Sequence, residues 1–114
     1  MKNRFDEKQV YIPGKKRRKL CIELANRIMD RADRMPIPKD GNCPERKQCV
    51  VALLTDKTEQ FIDLYFDAWT SASQVLEGLN AQLPRVLSGK RVQLGFVGKD
   101  GRSRMRDIEM ETTK

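Results

Sequence analysis

Apolar residues along the chain fall into periodic stretches separated by polar or proline-rich intervals. In KKRRKLCIELANRIMDRADRM, Leu20, Leu24, Ile28, Ala32 and Met35 recur every three or four residues, the period of an amphipathic helix. Pro36, Pro38, Gly41 and Pro44 close that helix off, because proline donates no N–H and biases its predecessor away from helical geometry. RKQCVVALLT is too short and too uniformly apolar from Cys49 to Leu54 for its period to separate a buried helix from a strand, and it is read as helix. In KTEQFIDLYFDA, Phe61, Leu64, Tyr65 and Ala68 share a helical face, and Asp56 with Glu59 resembles a capping box, so a short helix is expected. Trp69-Thr70-Ser71 interrupts it with weak helix formers and a good N-cap, and a further helix follows from about Ala72 to Leu79.

Beyond a turn at Gly78 to Ala81, LPRVLSGKRVQL predicts another helix, with Pro84 tolerated in its first turn. Gly89 inside it costs about 1 kcal/mol relative to Ala. An end at Ser88-Gly89, which would move Arg91 into a strand, therefore stays open. The alternation of Val92, Leu94 and Phe96, the Gly98-Lys99-Asp100-Gly101 turn and a second extended segment predict a hairpin.

With 114 residues the chain suits one domain with a core of its own. It divides into a flexible basic arm at 1–14, a helix and proline-rich loop at 15–44, a principal domain at 45–110 and a tail at 111–114. The net charge of +7 is unevenly spread, at +6 over 1–19, −3 over 20–80 and +4 over 81–114. Cations gathered at both ends around an acidic middle suit a polyanionic partner better than a general need for solubility. No apolar run is long enough to span a membrane, and the N-terminus lacks the apolar core of a secretory signal, so a cytoplasmic location is expected.

Cys21, Cys43 and Cys49 are an odd, sparse set unlike a disulfide framework. Without histidine, a zinc site would need a carboxylate ligand, so the cysteines are read as free thiols, with a Cys43–Cys49 redox switch left open. No metal or other cofactor is expected. Nor is catalysis: the chain has no phosphate-binding glycine motif, and Asp56, Asp63 and Asp67 are explained by capping and solvation.

The order helix, Trp69-Thr70, helix, turn, helix, hairpin through WTSASQVLEGLNAQLPRVLSGKRVQLGFVGKDGRSRMRDIEM resembles the winged helix-turn-helix, with Leu94-Gly95-Phe96-Val97 at the step into the wing. The resemblance implies an α+β, mostly helical fold: a winged helix-turn-helix with an extra N-terminal helix. It further implies a recognition helix in the major groove of duplex DNA and a wing on the backbone. Gln82, Arg85, Ser88, Lys90 and Arg91 would then face the groove, Arg85 foremost, since Gln and Arg pair with adenine and guanine edges.

In the wing, Arg102, Arg104 and Arg106 alternate on one face of a strand, where like charges call for an anion opposite, with Lys99 beside them. Lys15, Lys16, Arg17, Arg18 and Lys19 oppose the dipole of their own helix and are assigned to phosphate contacts as well. The expected function is a small sequence-specific DNA-binding regulator. It would act as a homodimer joined through the apolar stripe from Leu20 to Met35, which lies outside the winged module. The alternatives are an accessory protein of replication, partition or packaging, and an assembly module that binds RNA or protein.

Overall fold

The computed structural model describes residues 3–109. Two helices lie on one face of a four-stranded antiparallel sheet. The order is α1 (Lys15–Ala32), β1 (Lys47–Leu54), β2 (Glu59–Phe66), α2 (Ala72–Gln82), β3 (Arg91–Phe96) and β4 (Arg106–Ile108). The strands lie in the order β2-β1-β3-β4. Strand β1 is central, and α2 carries the chain across it from β2 to β3. The expected mostly helical, winged helix-turn-helix architecture is thus overturned.

Two of the expected helices are strands. In β2 the side chains alternate: Ile62, Leu64 and Phe66 point to the helices, while Glu59, Phe61, Asp63 and Tyr65 point away. Phe61 and Tyr65 therefore do not share a face with Leu64, although a period of 3.6 places them together. Of the supposed capping residues, Asp56 lies within a hairpin turn and Glu59 opens β2; in that turn the Thr55 N–H donates to the Thr58 carbonyl at 2.9 Å and the two hydroxyls meet at 2.7 Å. Strand β1 is uniformly apolar because it is central. Cys49, Val51 and Leu53 are buried under the helices, and Ala52 is buried on the opposite face.

The expected recognition helix is absent. Helix α2 ends at Gln82; Leu83 is extended (φ −71°, ψ 139°), as suits a residue before Pro84. Gly89 has φ +76°, a left-handed turn that L side chains resist, and β3 begins two residues later. Buried Leu83 and Leu87 hold this connection to the core.

Other expectations hold. Leu20, Leu24, Ile28 and Ala32 form the buried stripe of α1, and Ser71 caps α2 through a reciprocal pair with Gln74 (2.8 and 3.2 Å), an arrangement that contributes about 1 kcal/mol. The proline-rich segment is a loop, and β3 and β4 form the expected hairpin.

Because the α1 stripe is covered by this chain's own sheet, it is not the free surface that a dimer through Leu20 to Met35 requires. Where it is described, the arm packs against α1. Asp6 caps a short 3₁₀ turn at Glu7–Gln9, Ile12 is buried, and the Arg4 N–H donates to Asn26 Oδ1 at 2.9 Å. The tail at 111–114 lies outside the described residues. Among those described, no helix is long and apolar enough to cross a membrane.

Candidate nucleic-acid interface

Between the second half of α1 and the β3–β4 hairpin lies a cleft of about 400 Å³. Its apolar lining comes from Leu94, Phe96 and Ile108, which face the helices from neighbouring strands. Its charged walls are Arg27, Arg31 and Arg34 on one side and Arg104 and Arg106 on the other. Arg27 and Arg31, four apart, lie on one side of α1, and Arg34 follows them from the turn just past the helix end. Arg106 pairs in register with Leu94 and so lies on the helix side of the sheet, and Arg104, two residues earlier, joins it in the lining.

The acid in this lining is Asp30, and Arg4 holds it. Its Nη1 donates to Asp30 at 2.9 Å while Nη2 reaches Asp33, and the hydrogen bond to Asp30 is the main cause that raises the Arg4 pKa. Arg27 pairs with Glu23 at 2.8 Å. Among the described residues, Arg31, Arg34, Arg104 and Arg106 form no ion pair. Unmatched guanidiniums around a concave surface generate a focused positive potential, and each offers a planar fork of donors suited to phosphate oxygens.

The expected site residues are scattered. Arg104 and Arg106 lie in the cleft, but Arg102 belongs to the turn before them, where its carbonyl accepts from the Gly98 N–H at 2.8 Å. Lys99 sits on the same turn and lines a different cavity. Arg91 opens β3 on the face away from the helices and pairs with Asp107 at 3.2 Å. Gln82 ends α2, while Arg85, Ser88 and Lys90 lie in the connection to β3, so no helix presents these four and Arg91 to a groove.

The run at the start of α1 also divides. Arg17 is buried and donates to the Asn80, Leu83 and Pro84 carbonyls at 2.7, 2.8 and 3.1 Å and to Asn80 Oδ1 at 2.5 Å. It caps the C-terminus of α2 and is unavailable to phosphate. Arg18 reaches the Ile12 carbonyl at 3.2 Å and Glu7 at 3.4 Å, Lys19 is engaged as well, and Lys15 and Lys16 are exposed. Arg27, Arg31 and Arg34 were missed because α1 was read for its apolar stripe alone. Their own helical spacing was the available signal.

Cys21 and Cys49 are buried, and burial pushes their thiols up to about 11 and about 12, with Asp63 adding to the effect at Cys49. Thiols held neutral in this way are poor nucleophiles, which removes the basis for a Cys43–Cys49 switch in the folded chain. At about pH 8, iodoacetamide should alkylate exposed Cys43 alone, with Cys21 and Cys49 reacting only after denaturant is added, as read by mass spectrometry. Rapid native alkylation of Cys49 would contradict this packing. Among the described residues, no three Cys, Asp or Glu side chains are grouped to hold a metal ion.

Compared with protein-family models, curated proteins and solved structures, the chain matches none. Its class is therefore defined by geometry alone: a small α+β domain carrying an arginine-walled cleft at one edge of its sheet.

Proposed function

We propose that this domain binds nucleic acid by its phosphate backbone, at the cleft between α1 and the β3–β4 hairpin. The observation that carries the reading is the convergence of Arg31, Arg34, Arg104 and Arg106 without acidic partners among the described residues. Holding like charges together is unfavourable unless an anion lies between them, and a polyphosphate chain supplies several at a regular interval. The apolar lining lowers the local dielectric and strengthens each contact. Without a recognition helix, sequence-specific reading of the major groove loses its element, so the reading that remains is backbone binding in an accessory or nucleoprotein role.

The test is fluorescence anisotropy with labelled duplex DNA, single-stranded DNA and single-stranded RNA, comparing the natural chain with an Arg31→Glu, Arg106→Glu double variant. Binding of at least one probe that the variant abolishes is the expected result. If no probe binds, or the variant binds as before, the proposal fails.

A further inference from the structure

The face of the sheet turned away from the helices is open, and register fixes what it carries. Tyr65, Gln48 and Val97 form one row, Asp63, Val50 and Gly95 the next, and Phe61, Ala52 and Gln93 a third. Ala52, small and buried, lies beside Phe61, and the row between Phe61 and Tyr65 carries Asp63, Val50 and Gly95. Phe61 is 58% exposed and Tyr65 52%, and both stand on the same face of one strand. Four residues along one strand separate them by roughly 13 Å. Neither lies in a continuous apolar patch, because Asp63 stands between them, and this argues against a second copy of the chain as the occupant.

The rim beside Tyr65 is cationic and concave. A cavity of about 330 Å³ there is lined by Arg46, Lys47 and Lys99 against one acid, Glu45, with Gln48 and Tyr65, and the Arg46 guanidinium lies over one face of the tyrosine ring, 4.5 Å from its centre. An aromatic face, a neighbouring amide and flanking cations are what an unpaired nucleotide requires: stacking for the base, donors and acceptors for its edge, and charge for its phosphate.

The hairpin joins this face to the arginine cleft. A Cβ on Gly95 would collide with the Met105 sulfur, so the Met105 side chain lies over Gly95 on the open face, while its neighbours Arg104 and Arg106 line the cleft on the other side. A strand whose phosphates occupy the cleft and that passes round the β4 edge then crosses β3 and β1 before it meets Phe61 and Tyr65 on β2. Asp63 repels phosphate from the middle of that face and can accept a hydrogen bond from a base N–H, which leaves the backbone to the cationic rim.

We infer that the open face is a base-stacking platform built on Phe61 and Tyr65, and that the nucleic acid taken by this domain is single-stranded. The inference rests on the backbone reading of the cleft. Bases in a duplex are stacked on each other and offer no free face, so the platform discriminates between the two forms.

The experiment uses labelled oligothymidine of about twelve nucleotides, the same length with the central bases replaced by abasic residues, and a duplex, each against the natural chain and a Phe61→Leu, Tyr65→Leu double variant. Leucine keeps the apolar area and the strand but removes the π face. The natural chain should prefer oligothymidine to duplex by tenfold or more. The double variant should lose about that factor on oligothymidine, and nothing further on the abasic strand.

Equal affinity for duplex and single strand, or a variant that still distinguishes bases from abasic sites, would overturn the platform while leaving the cleft standing. If the variant instead dissociates a dimer in sedimentation, the face is a contact between copies and the inference is wrong. Loss of all binding on removing the cleft arginines, with the platform variants unaffected, would separate the two readings in the other direction.

Discussion

Replacing Arg17 by alanine should lower the melting temperature by roughly 15 °C, the largest stability change expected from any single polar residue of this chain. Its guanidinium is buried without an acidic partner among the described residues. It survives there because Asn80, Leu83 and Pro84 surround it with carbonyl oxygens at the C-terminal end of α2, where the helix dipole is negative and terminal carbonyls lack partners. Truncation leaves these acceptors poorly satisfied and detaches α2 from the start of α1, at a cost of about 3 kcal/mol. Lysine cannot span the same acceptors with one ammonium, so Arg17→Lys should recover only part of the loss. Circular dichroism melts of the two variants check this. A melt within a few degrees of the natural chain for Arg17→Ala would mean that the clamp contributes little.

The second large effect concerns affinity. Changing Arg31, Arg34, Arg104 and Arg106 together to glutamine should weaken binding of a single-stranded oligonucleotide by two to three orders of magnitude at about 0.1 M salt, since each lost phosphate contact removes roughly fivefold there. These side chains are exposed or half-buried and form no ion pair among the described residues, so the melting temperature should move little. The two assays together separate a binding surface from a structural one: Arg17 should behave in the opposite way, with a large melting shift arising from packing.

The sequence made some of this legible for definite reasons. Helix α1 was readable because its stripe repeats over several turns, and α2 because Trp69-Thr70-Ser71 combines weak helix formers with a good N-cap. The C-terminal hairpin announced itself through alternation and the glycine turn. Strand β2 was misread because Phe61, Leu64 and Tyr65 fit a helical face as readily as a strand, and only pairing with β1 decides which face each takes. That error and the extended Leu83 before Pro84 together produced a winged helix where a sheet stands.

Of the site, Arg104 and Arg106 were found by period-two spacing. The other wall was hidden because Arg27, Arg31 and Arg34 meet the hairpin only once α1 packs across the sheet, a contact between residues far apart in sequence. Arg17 was assigned to phosphate because a run of cations carries no sign of which member will be buried.

The central claim is that the cleft holds phosphates, and counterion release tests it most directly. The slope of log binding constant against log salt concentration should be measured for the natural chain and the four-arginine variant on the same oligonucleotide. The claim predicts that the variant's slope is shallower by roughly three units, the release expected from four phosphate contacts. Equal slopes and equal affinities for the two proteins would contradict it.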